Sequence, residues 1–305
     1  MIKIGILGMS PGNAHPSSWS AIINGVFDGE EITRLGYPAV AEYLTVNKDT
    51  LGLPAAKVTH VWAQEEAIAR QISRTAGIAH TVAEPNDLVG KVDAVILARD
   101  DQENHRSMAK PFIGAGIPIF IDKPLCATKD DLDYFRREVD KGKFIMSCSS
   151  MRYASECRSA KTELKSLGSL ELVTAVGKKD WIKYGVHILE AVFFILDDIK
   201  PVRVTNTGRK DRDIVTVEFE NGLQVVVHLF MDIAPTFQLS LFGKDKWKLV
   251  EIKNSYSMFR DNIIEFIRSV EEGKPRLSFD KTDQIIRVLI AGKESLEQNG
   301  KTINC

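Results

Sequence analysis

The stretch Ile117-Pro118-Ile119-Phe120-Ile121-Asp122-Lys123-Pro124-Leu125 joins a short apolar run to an abrupt polar end. Such a run, rich in β-branched residues, is typical of a buried parallel strand. Pro124 fixes the backbone after the strand and favours an extended conformation at Lys123. Because ligands of open α/β sheets bind at the carboxyl ends of the strands, the pattern predicts that Lys123 lies at a functional edge. An ordinary surface lysine in a strand-to-helix turn is the alternative.

Strands and helices alternate from the N-terminus to this stretch. The predicted strands cover residues 2–7, 58–62, 92–98 and 117–121, and the predicted helices cover residues 17–26, 39–47, 65–76 and 105–114. This alternation predicts a mostly parallel sheet with right-handed crossovers. We therefore expect an α/β fold with a Rossmann-type dinucleotide-binding domain over residues 1–124.

The loop Gly8-Met9-Ser10-Pro11-Gly12-Asn13-Ala14-His15-Pro16 follows the first strand. A strand, a glycine-bearing loop and a helix together can hold the pyrophosphate of a dinucleotide on helix amides. Ser10 stands where the glycine fingerprint has its middle glycine. The candidate cofactor contacts in this loop are Gly8, Ser10, Gly12 and Asn13.

The ends of the later strands supply further candidate cofactor contacts. Gln64 or Glu65 would face the adenosine ribose, where an acid is typical of NAD and a nearby arginine of NADP. No basic residue lies right at that strand end, which favours NAD. The remaining candidates follow the next two strands and are Asp100, His105, Asp122 and Lys123. Residues 28–57 form an excursion, a longer connection before the second strand than a βαβ unit needs. It either overhangs a site or is an insertion on the surface.

After Pro124 the pattern changes to that of an α+β domain. Helices are predicted at residues 130–141, 154–167, 181–196, 258–271 and 283–298, and extended segments at 144–149, 170–177, 202–208, 214–219, 223–230, 238–242 and 247–250. The sequence Glu220-Asn221-Gly222 predicts a hairpin between two of these segments. We expect residues 125–305 to form a second domain with an open, largely antiparallel sheet.

The apolar helix predicted at residues 181–196 carries two titratable side chains. On a 3.6-residue period His187 and Glu190 lie near one face. Burial of such a pair costs free energy unless the groups are paired or used in function. A core histidine satisfied by a neighbour is the alternative to a catalytic one.

The composition narrows the classes of function. A chain of 305 residues with 44% apolar and 27% charged residues is ordinary for one or two globular domains. The formal net charge of -1 gives no electrostatic reason to expect nucleic acid or an anionic membrane, so a neutral small-molecule substrate fits better. Neither a signal peptide nor a membrane-spanning run is recognisable, and we expect a cytoplasmic protein. The four cysteines suggest neither a metal site nor a disulfide framework: Cys126, Cys148, Cys157 and Cys305.

Four motifs follow one another along the chain in a characteristic order. They are Val92-Asp93-Ala94-Val95-Ile96-Leu97-Ala98 with His105 downstream, Ala115-Gly116 before Asp122-Lys123-Pro124, Arg152 after the next strand, and Gly185-Val186-His187-Ile188-Leu189-Glu190. Over nearly the whole chain they resemble motifs of the glucose-fructose oxidoreductase, inositol dehydrogenase and MocA (Gfo/Idh/MocA) family of NAD(P)-dependent oxidoreductases. Asp122-Lys123-Pro124 is similar to the family's Glu-Lys-Pro signature, and the last motif to its Gly-x-His-x-x-Asp element.

The resemblance implies hydride transfer between a nicotinamide and a hydroxyl-bearing carbon of a sugar, cyclitol or related polyol. Lys123 would lie beside the nicotinamide and stabilise an alkoxide-like oxygen, and His187 would accept the hydroxyl proton. The candidate substrate contacts are Arg152, Lys183 and Glu190. The resemblance also implies that residues 125–305 form the substrate-binding and oligomerisation domain, with a homodimer or homotetramer formed through the open sheet face.

Three departures from the family pattern keep other functions open. Lys183 stands where the family has an aspartate four residues before the catalytic histidine, Ser10 replaces a glycine, and the ribose-reading acid is displaced to Gln64 or Glu65. One alternative is a dinucleotide- or sugar-binding regulator that has kept the fold without the chemistry. Another is an enzyme that holds NAD tightly and uses it transiently in an elimination or epimerisation.

Overall fold

The computed structural model describes residues 1–305, which separate into two compact units. The first unit contains Met1–Cys126, Asp133–Ser147 and Phe259–Phe279, and the second contains Ala127–Leu132, Cys148–Met258 and Asp280–Cys305. The division into domains at residues 1–124 and 125–305 stays a prediction.

The first unit is built on a six-stranded parallel sheet with the order β3-β2-β1-β4-β5-β6. Its strands are β1 (Ile2–Leu7), β2 (Ala56–Trp62), β3 (His80–Thr81), β4 (Ala94–Leu97), β5 (Ile119–Ile121) and β6 (Ile145–Met146). The helices are α1 (His15–Asn24), α2 (Gly29–Arg34), α3 (Pro38–Val46), α4 (Glu66–Ala76), α5 (His105–Ala115) and α6 (Lys129–Asp140).

This sheet confirms the predicted Rossmann-type architecture. The strand order reverses between β1 and β4, and ligands of such sheets bind outside the carboxyl ends of the strands at that reversal. Strands β4 and β5 are buried along their whole length, as continuous apolar runs in a parallel sheet should be. The loop after β1 and the residues after β4 and β5 therefore share one edge.

Several predicted boundaries in this unit were wrong. Helix α1 begins at His15 rather than at residue 17, because Pro16 suits the first helical turn. Strand β4 is shorter than residues 92–98, and the strand predicted at 144–149 forms a ladder only over Ile145–Met146. Helix α2 was missed, although the Asp28 side chain caps it by accepting from the Glu31 backbone N–H at 3.0 Å.

The second unit is built on a seven-stranded sheet with the order β12-β11-β7-β10-β9-β8-β13. Its strands are β7 (Leu170–Lys178), β8 (Pro201–Asn206), β9 (Arg212–Phe219), β10 (Gln224–Phe230), β11 (Phe237–Gly243), β12 (Trp247–Glu251) and β13 (Ile303–Asn304). The helices that follow α6 are α7 (Ser155–Glu163) and α8 (Trp181–Ile195) in this unit, α9 (Ser255–Glu272), most of which belongs to the first unit, and α10 (Phe279–Glu297), which belongs to the second unit apart from its first residue.

The predicted largely antiparallel sheet is confirmed, with β7 and β10 as its one parallel pair. The predicted hairpin joins β9 to β10, and Gly222 supplies its positive φ of 84°. Buried and half-exposed residues alternate along β9 and β10, and α8 packs against β7 and β10. The helix predicted at 154–167 was wrong in its second half, where Leu164–Leu167 tightens into a 3₁₀ turn. None of the helices has the length and apolar character needed to cross a membrane.

Candidate functional site

The loop after β1 is shaped by two glycines and by a helix start whose first backbone N–H, that of His15, donates to Oδ1 of Asn13 at 2.9 Å. A Cβ on Gly8 would lie 2.3 Å from Cγ of Pro16, so only glycine lets the loop pass this close to α1. Gly12 has a φ of +81°, which favours glycine. Ala14, at the N-cap of α1, makes no side-chain hydrogen bond to the first turn. This strand, loop and helix N-terminus fits the pyrophosphate of a dinucleotide.

Ser10 and Asp100 join the loop to the end of β4. The Ser10 hydroxyl donates to Oδ1 of Asp100 at 2.6 Å, and the Asp100 backbone N–H donates to Oγ of Ser10 at 3.1 Å. The Lys123 ammonium lies 3.9 Å from Oδ2 of Asp100. The predicted contacts Ser10, Asp100 and Lys123 thus meet at one edge of the sheet.

Asp122 is buried at the centre of a second set of hydrogen bonds. Its Oδ2 accepts from the Asn13 amide at 3.0 Å and pairs with Nδ1 of His15 at 2.6 Å, and its Oδ1 accepts from the Lys123 backbone N–H at 2.8 Å. Burial alone would raise the pKa of Asp122, but attraction to His15 and Lys123 outweighs it and holds that pKa well below its usual range. Asp122 therefore couples the phosphate loop to the backbone that carries Lys123.

His15 was missed as a site residue by sequence reasoning. Its ring stacks on Trp19, with the ring centroids 4.2 Å apart, and pairs with an acid far away in the chain. Only its place in the quoted loop pointed to it, because nothing local identifies Asp122 as its partner.

Gln64 and Arg99 meet beyond the ends of β2 and β4. Oε1 of Gln64 accepts from the Met9 backbone N–H at 3.2 Å and from Nη1 of Arg99 at 2.8 Å. Arg99 also binds Asp101 through two nitrogens, at 2.8 and 2.6 Å. Arg99 was not among the predicted site residues. Contact of Gln64 with a cofactor stays a prediction.

His105 is fully buried between two backbone carbonyl groups. Its ring nitrogens lie 3.0 Å from the carbonyl oxygens of Leu125 and Arg99, and burial lowers the pKa of His105. The ring thus ties the segment after Lys123 to the end of β4. Its predicted contact with a cofactor is untested by this geometry.

In the second unit His187 lies half-exposed on α8, held by a serine and two aromatic rings. Its Nδ1 lies 2.6 Å from the Ser149 hydroxyl, whose oxygen also accepts from the Met151 backbone N–H at 3.2 Å. The rings of Tyr184 and Phe237 meet the imidazole edge to face, at 5.4 and 5.8 Å between centroids. The serine and the two rings together fix the orientation of the His187 imidazole.

Arg152 and Glu190 form a buried network under His187. Nε of Arg152 lies 2.6 Å from Oε2 of Glu190, and its Nη2 lies 2.7 Å from Oδ1 of Asp198, which also pairs with Lys281 at 2.8 Å. The Ser149 backbone N–H donates to Oε1 of Glu190 at 3.0 Å. Burial works against the charge of Arg152, but attraction to its two acids exceeds this and raises its pKa.

This network links Arg152 and Glu190 to the serine that holds His187. Both side chains are almost fully buried, at 3% and 1% exposure. Lys183 lies one turn before His187 on α8, and its backbone N–H donates to the capping Asp180 at 2.9 Å. Direct substrate contacts of Arg152, Lys183 and Glu190 stay predictions.

Comparison with known proteins connects the first unit to a family. Residues 33–147 match the model of an oxidoreductase family with an NAD-binding Rossmann fold. The matched segment contains Lys123. Inositol 2-dehydrogenase 1 of Saccharopolyspora erythraea is 35% identical over 109 residues, which cover 34% of this chain and 32% of that protein. The match therefore spans about a third of the length of this curated relative.

Solved structures are similar over the full length of the chain. A putative myo-inositol dehydrogenase from Sinorhizobium meliloti 1021 has a TM-score of 0.79 at 15% identity, covering 100% of this chain and 99% of the other. Scyllo-inositol dehydrogenase from Lactobacillus casei, solved with NAD(H) and scyllo-inositol, has a TM-score of 0.76 at 12% identity, covering 100% and 99%. At these identities the likeness concerns the fold, and it agrees with the parallel and mixed sheets described above. The Rossmann region of the chain, residues 33–147, is thus similar to an oxidoreductase family with an NAD-binding Rossmann fold.

Proposed function

We propose that this protein is an NAD-dependent oxidoreductase that moves hydride between the nicotinamide and a hydroxyl-bearing carbon of a cyclitol, sugar or related polyol. The observation that carries the proposal is Lys123 at the carboxyl end of β5, linked through Asp122 to the phosphate loop. The match to an inositol 2-dehydrogenase supports a cyclitol as the substrate class.

Each candidate residue has a distinct role in this proposal. The bound nicotinamide supplies the hydride acceptor. His187 takes the hydroxyl proton at Nε2, a role that requires the tautomer in which its Nδ1–H donates to the Ser149 hydroxyl, 2.6 Å away. The Lys123 ammonium stabilises the negative charge that develops on the substrate oxygen. Arg152 and Glu190 act as positioning residues through Ser149.

We infer that NAD is preferred over NADP. The Gly8 to Asn13 loop and the first turn of α1 would hold the pyrophosphate, with Gln64 near the adenosine ribose. Arg99 contacts Gln64 through Nη1, and its Nε and Nη2 are both engaged by Asp101. An arginine committed in this way is poorly placed to bind the extra phosphate of NADP.

We also propose that the chain forms a homodimer or homotetramer through the open face of the second sheet. Phe242, Trp247 and Leu249 expose 37%, 65% and 51% of their surface, and Phe242 pairs directly with Trp247 across β11 and β12. A contiguous apolar patch of this kind supports an interface. A cytoplasmic location stays a prediction from the sequence.

Turnover by matched variants tests the proposed chemistry. We expect Lys123→Ala and His187→Ala each to lower the rate of cyclitol oxidation by about a hundredfold or more, because a charge stabiliser or proton acceptor is lost. NADH affinity should change little in both. The exposed residues Lys129 and His80 provide the controls, as Lys129→Ala and His80→Ala. Unchanged rates in both site variants would rule out the assignment.

A regulator that binds a dinucleotide or sugar without turnover is the second candidate. Two hydrogen-bond donors of the phosphate loop are already used within the protein, which favours this candidate. The Met9 N–H donates to Gln64, and the Ser10 hydroxyl donates to Asp100. Saturable NADH binding with no hydride transfer across a broad panel of polyols would support it. Robust turnover of any substrate would remove it.

A further inference from the structure

The excursion that carries α2 and α3 brings a tyrosine to the phosphate loop. Tyr37 stands at the N-cap of α3, between Gly36, with a φ of +93°, and Pro38 in the first helical turn. The excursion is anchored to the unit at both ends. The Asp28 backbone N–H donates to the Thr75 carbonyl at 3.0 Å, and the Tyr43 hydroxyl pairs with Oγ of Ser18 on α1.

The Tyr37 hydroxyl contacts the loop through two groups. It donates to the thioether sulfur of Met9 at 3.9 Å, and its electrostatic partners include the Gly12 backbone N–H. A thioether is a weak acceptor, so the O–H donor of Tyr37 is poorly used in this arrangement. The amide it engages is one that a Rossmann loop offers to a phosphate.

The chemistry of this hydroxyl suits an anion. Burial raises the pKa of Tyr37, the Gly12 N–H opposes that rise, and the Asp100 charge adds to it, so the phenol stays a neutral donor near pH 7. A phosphate oxygen is a much stronger acceptor than a thioether, because hydrogen bonds to charged groups are the strong ones. Asp100 is the one carboxylate acting on the hydroxyl, and Lys123 lies 3.9 Å from it and offsets its charge.

Ser10 explains why the loop needs another donor. It replaces the middle glycine of the fingerprint, and its hydroxyl is turned to Asp100 at 2.6 Å. The loop has therefore lost a position at which the backbone approaches the pyrophosphate closely. A donor from outside the βαβ unit restores a contact on the same side of the loop.

We propose that Tyr37 is a dinucleotide-binding residue whose hydroxyl turns from Met9 to donate to a pyrophosphate oxygen beside Gly12. This rests on the proposed function, since it assigns one more residue to the same cofactor. It also gives the long excursion of residues 28–57 a function, namely to deliver this hydroxyl to the loop.

Binding isotherms for NADH, ADP-ribose and adenosine test the proposal on the full-length protein. Tyr37→Phe removes only the hydroxyl, and the expected loss is about tenfold in affinity for NADH and ADP-ribose, typical of a hydrogen bond to a charged group. Adenosine, which has no phosphate, should bind with unchanged affinity. Tyr134→Phe on α6 is the control that removes a hydroxyl outside the phosphate loop and the excursion, and its affinities should equal those of the wild type.

Three results would overturn the proposal. Unchanged NADH affinity in Tyr37→Phe would show that the hydroxyl makes no contact with the pyrophosphate. Tighter binding would show that Tyr37 blocks the loop. Equal weakening for adenosine would show a general effect on the fold. A wild type that binds neither NADH nor ADP-ribose would contradict the proposed function itself. The three results above would instead contradict only the role of Tyr37.

Discussion

Among single residues, Asp122 carries the strongest electrostatic constraint in the first unit. It is 1% exposed and accepts hydrogen bonds from Asn13 and the Lys123 backbone while pairing with His15. Its pKa is lowered on folding, so its stabilisation is present in full above the unfolded pKa of about 3.9 and is lost as the pH falls below that value. Acid should therefore weaken the link between the phosphate loop and β5.

Asp122→Asn should lower the free energy of unfolding by about 2 kcal/mol at pH 7, because an amide cannot replace a carboxylate paired with His15. The difference from the wild type should shrink below about pH 4, where the wild-type carboxylate loses its advantage. Urea unfolding at several pH values measures both effects. Asp93→Asn is the control, since Asp93 is exposed and accepts only the Lys3 backbone N–H. A constant difference across the pH range would contradict this account.

At the level of elements, Arg152 ties the segment after β6 to α8 and to the loop that follows it. It bridges Glu190 on α8 and Asp198, and it is almost fully buried. Removal of one partner from a buried ion pair leaves an uncompensated charge, which costs much more than the pair contributes. Asp198 would keep Lys281 as a partner after the loss of Arg152, so the uncompensated buried charge would be that of Glu190.

Arg152→Met should destabilise the second unit by about 3–5 kcal/mol, and the double variant with Glu190→Gln should recover part of that loss. Denaturant unfolding followed by tryptophan fluorescence can report on this unit through Trp181, whose Nε1 donates to the Leu289 carbonyl at 2.8 Å. Equal stability of the single variant and the wild type would show that the network carries little energy. A double variant less stable than the single one would show that Glu190 is stabilised by its other contacts.

The sequence predicted the helices and strands better than it predicted which residues contact one another. The apolar run before Asp122 and the periodicity around His187 placed both residues correctly, because hydrophobic pattern determines strands and amphipathic helices. Strand β3 was not predicted, and β6 was predicted too long. Each forms a ladder of only two residues, and a ladder that short depends on the neighbouring strand. Helix α2 had a readable cap in Asp28 and Glu31. Tyr37, His15 and Arg99 lacked any local signal, because each acquires its role from a residue distant in sequence.

For the molecule as a whole, the exposed patch of Phe242, Trp247 and Leu249 predicts association. Sedimentation velocity should give a dimer or tetramer for the wild type. Replacement of Trp247 and Leu249 together by glutamate should shift the protein to a smaller species, because buried charges oppose an apolar interface. A wild type that sediments as a monomer at all concentrations would contradict the proposed interface.

We propose that the whole chain works as an NAD-dependent oxidoreductase, and cofactor binding tests this proposal most directly. The measurement is a titration of the purified protein with NADH and, separately, NADPH, followed by nicotinamide fluorescence. Saturable binding of NADH at micromolar concentration, with weaker binding of NADPH, is the predicted result, given the phosphate loop and the engaged Arg99. Absence of binding for both at millimolar concentration would contradict the account.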